Sequence, residues 1–250
     1  MNKTLISAML LCATSAFAHF GVVLPSNSTI DDQSNATQKI VYKFNHPFEN
    51  EMMDMQKPKV AGVFTAGKKQ NFTNLVEKKE GEFRYHEATY EIKEPGVYQF
   101  FVDPAPYFEP AEDTFIRHIS KTVVNAYGFG EGWDEPIGLK AEIVPLTRPY
   151  GLYKGNIFTG VVLYKGEPAK GVIVEVEYYN DKGKVKAPGE DFITQEVKTN
   201  ERGEFSFVMP LAGWWGFAAL IEDDETIKKD GKEYPVEIGG VIWVETKEYK

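Results

Sequence analysis

The residues of this sequence best suited to chemistry are its four histidines, His19, His46, His86 and His118. His19 follows Ala16-Phe17-Ala18, a small-residue cleavage pattern. Cleavage there makes His19 the first residue, and its α-amine and imidazole Nδ1 then close one chelate ring on a metal ion. Imidazole is the commonest protein metal ligand and an α-amine titrates near neutrality, so both bind at modest proton cost. His46 stands in Phe44-Asn45-His46-Pro47-Phe48-Glu49, at the end of an expected strand that the proline stops. Loops at strand ends are where sandwich proteins assemble sites. His118 falls in the expected strand 115–126, on one face with Ile116 and Ser120. His86 completes the candidate set, although an ordinary surface histidine is its default reading. Convergence of His19, His46 and His118 on one ion is expected from residue type and scarcity. No His-x-x-x-His or Cys-x-x-Cys spacing fixes it.

Met52, Met53 and Met55, flanked by Glu51 and Asp54, follow His46 closely. Their thioethers favour Cu(I), whereas imidazole and amine suit Ni(II), Cu(II) or Zn(II); filling a core is their other reading. Other chemistry is poorly provided for. There is no Gly-x-Ser-x-Gly elbow, and Gly128-Phe129-Gly130-Glu131-Gly132 has neither the spacing nor the setting of a phosphate loop. The acids of Glu109-Pro110-Ala111-Glu112-Asp113 carry no mark of a general acid. Metal-assisted hydrolysis needs a cleft and a base that the sequence does not offer, so a non-enzymatic protein is expected.

Residues 1–18 read as a cleaved signal peptide, with Lys3 in a short positive region and an apolar run too short to span a bilayer. The mature chain is therefore expected to be exported to the periplasm without membrane insertion. Cys12, the one cysteine, lies in that leader, so hydrophobic cores must hold the mature protein without a disulfide. The formal net charge is −9, and loss of Lys3 makes it more negative. Such acidity argues against nucleic acid as a partner and suits a protein that meets cations.

Elements able to position the histidines are short runs of Val, Ile, Tyr and Phe separated by Gly, Pro, Asn and Asp, an all-β signature. Expected strands cover 39–44, 60–64, 83–92, 97–102, 115–126 and 139–145. After a reset near Pro149 they cover 157–164, 172–179, 192–199, 204–209, 214–222 and 241–246. The turn Lys165-Gly166-Glu167-Pro168 suggests a hairpin between 157–164 and 172–179. The pattern implies two immunoglobulin-like or transthyretin-like β-sandwich domains, 19–149 carrying the metal site and 150–250 following it. Trp214 and Trp215, in Gly-Trp-Trp-Gly, are expected to pack as core.

Four segments carry a family resemblance: His46-Pro47-Phe48-Glu49; Pro106-Tyr107-Phe108-Glu109-Pro110-Ala111-Glu112-Asp113; Arg117-His118 with Lys121-Thr122-Val123-Val124-Asn125; and Gly213-Trp214-Trp215-Gly216-Phe217-Ala218. The sequence resembles the exported DUF4198 family, and the start His19-Phe20 with its Leu24-Pro25-Ser26 turn is similar to that family's mature start. The resemblance implies a two-domain β protein that binds a transition metal. Its implied role is that of a NikK-like periplasmic nickel-binding component beside an energy-coupling-factor type nickel transporter. His19, His46 and His118 lie in or beside matching motifs, whereas His86 matches none. Three readings follow: a Ni(II) carrier serving a membrane transporter, a copper-binding or resistance protein, and a structural or adhesion-type sandwich. A homodimer is compatible with each.

Overall fold

Alternating β-branched and aromatic residues favour extended backbone, and strands dominate the chain. The computed structural model describes residues 19–128 and 130–249, so the leader expected at 1–18 lies outside the described residues. Among the described residues there is no α-helix; two three-residue 3-10 turns, Gln33–Asn35 and Glu190–Phe192, interrupt the strands.

The described strands form sheets of eleven, five, four and two strands. The largest runs in the order Gln195–Lys198, Ile173–Tyr178, Gly213–Glu222, Val236–Lys247, Thr114–Ala126, Gly96–Asp103, Val60–Thr65 and Lys68–Asn71, with three short strands attached. Its N-terminal half is covered by the five-stranded sheet built on Phe20–Pro25, Thr37–His46 and Phe83–Glu91. Ile40, Tyr42, Phe100 and Val124 fill the core between them. Its C-terminal half is covered by the four-stranded sheet built on Ala141–Pro145 and Ile157–Tyr164. There Phe158, Val162, Val176, Phe217 and Val244 form a second core.

The fold is thus all-β and sandwich-like, as expected, but both packings share one sheet. The joint is a parallel pairing of Thr114–Ala126 with Val236–Lys247, in register from Phe115↔Val236 to Thr122↔Trp243. Parallel strands are normally covered on both faces, and most of Thr114–Ala126 is buried. The expected division near Pro149 falls between Ala141–Pro145 and Leu152–Tyr153, and both pair with C-terminal strands. The break in pattern at Pro149 marks a loop. Which sheet a strand joins is decided by residues far away in sequence.

The expected hairpin of 157–164 with 172–179 does not form. After Lys165-Gly166 the chain pairs for only two residues, Tyr164↔Glu167 and Leu163↔Pro168. Pro168 has no N–H to extend the ladder, and Gly171, at φ +69°, redirects the backbone. Ile173–Tyr178 then joins the opposite sheet beside Gly213–Glu222, where Val174 and Val176 face Phe158 and Val162 across the second core.

Phe20–Pro25, read from sequence as a turn around Pro25, is a strand that pairs with Thr37–His46. Phe20 and Val22 pack with Ala218, Val241 and Trp243, while Val23 enters the first core. Its backbone is pinned from the long strand: Ser120 Oγ donates to Gly21 O at 2.9 Å, as does Trp243 Nε1 at 2.9 Å, and Thr122 Oγ1 donates to Val23 O. A Cβ at Gly21 would lie 2.4 Å from Ser120 Oγ and 2.7 Å from His118 O. Only glycine permits this approach.

Candidate functional site

Two strand contacts bring three distant histidines together. The register Phe20↔Asn45 sets the preceding His19 alongside His46, and their ring centroids are 4.7 Å apart. The close passage of Gly21 over Ser120 and the His118 carbonyl carries the same end of the strand to His118. Phe44 links the group, stacking on His19 at 5.6 Å and meeting His118 edge-on at 6.1 Å.

Each of two imidazoles uses Nε2 on a carboxylate: His19 on Glu109 Oε2 at 3.2 Å, and His118 on Glu237 Oε1 at 3.3 Å. If Nε2 carries the proton, Nδ1 keeps its lone pair, and the carboxylate holds the ring as in carboxylate–histidine–metal arrangements. For His19 this leaves free the nitrogen that can share a chelate ring with the residue's own amine. Nδ1 of His118 is buried without a hydrogen-bond partner among the described residues. That ring lies flat on Gly239, where a Cβ would come within 2.4 Å of Cδ2.

Burial, reinforced by electrostatic interaction with the neighbouring His46 and His118, lowers the His19 pKa to about 4 against the pull of Glu109. Its imidazole is therefore neutral near pH 7. Burial pushes the Glu237 carboxyl up, but His118 and His19 outweigh it and hold the group below its usual range. Glu112 is raised by burial and by Glu237 and Glu109. Further along the same sheet, burial and neighbouring acids raise Glu175 to about 8, and burial raises Glu177 to about 7. Both carboxylate oxygens of Glu49, in the loop after His46, are buried without partners among the described residues.

His86 stands elsewhere. It pairs across from Tyr42 and Glu77, its charged neighbours are Glu77, Arg84, Lys57 and Asp54, and burial lowers its pKa. Its surroundings are those of a buried sheet histidine, not the expected exposed one. Met55 is buried in the first core and Met53 packs against it, so these two thioethers act as core filler. Trp215 is core as expected, its Nε1 donating to Leu211 O at 2.9 Å. Glu237 escaped sequence reading because only the pairing Ile116↔Glu237 brings it near His118. The role of Glu109 had a signal, its place in the Tyr-Phe-Glu-Pro motif. Among the described residues, no three His, Cys, Asp or Glu side chains are already set to hold a metal ion together.

A family model described as "Domain of unknown function (DUF4198)" matches residues 16–223. Comparison with curated proteins finds no match. Among solved structures the chain is similar to the Yersinia pseudotuberculosis adhesin InvE, at 11% identity over 88% of this chain and 58% of that one, with a TM-score of 0.25. It is also similar to the D0-D1 domain of intimin, at 10% identity, 92% and 100% coverage and a TM-score of 0.24. A third is BcpA, the major pilin subunit of Bacillus cereus, at 12% identity, 92% and 67% coverage and a TM-score of 0.22. The chain spans 58% of the length of the InvE structure.

Proposed function

The chain belongs to the DUF4198 family, and we propose that within it this protein is a non-enzymatic periplasmic carrier of a transition-metal ion, Ni(II) first. It captures the ion outside the inner membrane and delivers it to a membrane uptake system, in the manner of a NikK-like component. The single observation that supports this most is the meeting of His19, His46 and His118, residues far apart in sequence, with His19 directly after the cleavage pattern.

In this reading the mature amine and Nδ1 of His19 form the chelate, and His46 and His118 supply further imidazoles. Glu109 and Glu237 accept the Nε2 protons, fixing tautomers and adding negative charge near the ion. Neutral nitrogen donors suit a borderline divalent ion, and geometry must discriminate against copper, which the affinity order favours. A sparse set of neutral ligands also suits release as well as capture.

Calorimetric titration of Ni(II) into protein with a native N-terminus, beside protein carrying one extra residue before His19, tests the reading. A loss of roughly 100-fold in the extended form, about 2.7 kcal/mol, is expected. Equal binding by both forms moves the site to His46 and His118. Metal binding indifferent to His46→Ala and His118→Ala leaves a structural sandwich, and tighter binding of Cu(I) in competition makes the cargo copper.

A further inference from the structure

Beside His118 lies a cavity of about 290 Å³, walled by Phe44, Met55, Pro106, Tyr107, Phe108 and Ile116. That space equals roughly ten waters and approaches the size of organic-ligand pockets, far more than a bare ion needs. The cavity and the histidines share walls. His118 lines it, Phe44 stacks on His19, and the Tyr107 ring is 6.4 Å from that of His19.

Two charged side chains, Lys229 and Asp54, line the cavity together with the His118 imidazole. Asp54 is already held by the Arg84 guanidinium through both oxygens. Lys229 Nζ sits 3.7 Å from the centroid of the Phe108 ring, and no carboxylate among the described residues forms an ion pair with it. The cavity thus offers a metal-ligating imidazole, aromatic faces and an unpaired ammonium. Together these match a small molecule that has an apolar body and an acid group.

We propose that the ion arrives as a complex with a small carboxylate-bearing organic chelator, whose body fills this cavity and whose carboxylate pairs with Lys229. The inference rests on the metal-binding reading of the same site and names what accompanies the ion. Charge makes the two components interdependent. Glu109, Glu112 and Glu237 surround the histidines and repel a free anionic chelator, whereas the metal complex brings its own compensating charge. The chelator in turn occupies apolar surface and Lys229, which a hydrated ion leaves unused.

Calorimetry separates this inference from the reading beneath it. Processed wild-type protein and Lys229→Gln are each titrated with Ni(II) alone, picolinate alone, one-to-one Ni(II)–picolinate and one-to-one Ni(II)–L-histidine. At least one of the two complexes is expected to bind wild type 10-fold or more tightly than Ni(II) alone, with no binding of picolinate alone. Lys229→Gln is expected to lose that gain and keep wild-type affinity for Ni(II). If both chelators merely strip the metal, equally from both proteins, the inference fails while the carrier reading stands. If Ni(II) alone binds neither protein, the carrier reading fails and takes this inference with it.

Discussion

Nε2 of His19 and of His118 is each occupied by a carboxylate, so the proposed ligation depends on residues that do not themselves touch the ion. Glu109→Ala is expected to weaken Ni(II) binding by roughly 10- to 100-fold, with Glu109→Gln milder because its amide oxygen still accepts from Nε2. Titration of the two variants side by side checks the order, and an unchanged Glu109→Ala removes the orienting role. His86→Gln, away from this group, is expected to leave Ni(II) affinity as in wild type. His19, His46 and His118 were legible from sequence as scarce donors near motifs. That His86 stands apart was not, because strand membership does not reveal which end of a sandwich a residue occupies.

At the scale of elements, the site is made by a short strand lying on a long one. The approach depends on two glycines, Gly21 beneath the Ser120 hydroxyl and Gly239 beneath the His118 ring. Gly239→Ala is expected to cost about 1–3 kcal/mol of stability through overpacking and to displace His118. Denaturant unfolding and the Ni(II) affinity of the same sample check both effects. Most strands were legible because alternation of buried and exposed side chains writes a period of two into the sequence. Phe20–Pro25 was not. It is buried on both faces, so it shows no alternation, and Pro25 suggested a turn.

The whole molecule is held by the sheet shared between its halves, and a buried ion pair ties the long strand of that sheet to the C-terminal layer. Lys121 Nζ donates to Glu142 Oε1 at 2.6 Å, each side chain only 1% exposed, and Glu142 also accepts from the backbone N–H groups of Ile137 and Leu139. Removing one partner strands the other, so Glu142→Ala is expected to cost about 3–5 kcal/mol. The double variant Lys121→Met/Glu142→Leu should recover part of it, as chemical denaturation would reveal. Stability should also depend on pH. The folded-state pKa values of Glu175 and Glu177, about 8 and about 7, exceed the unfolded 4.5. The folded state therefore binds more protons in that interval, and stability falls as pH rises through it. His19, lowered from 6.5 to about 4, acts oppositely, but only below about pH 6.5. Thermal unfolding of the metal-free protein is accordingly expected at lower temperature at pH 8.5 than at pH 6.5, with Glu175→Gln flattening the difference. A rise instead would mean that these acids are charged in the folded state.

Local physics, written along the chain, determined the all-β class, most strand positions, the motif histidines and the place of Trp215 in a core. Each depends on side-chain period, turn residues or composition within a few neighbours. The tertiary structure decided the rest: one continuous sheet through both sandwiches, the crossing of Ile173–Tyr178 to the opposite layer, the pairing of His118 with Glu237, and the cavity shared with Lys229. These arise from registers between residues as distant as Ile116 and Glu237. Such pairings are selected by which buried faces fit together when the whole chain collapses, and no local pattern encodes that fit.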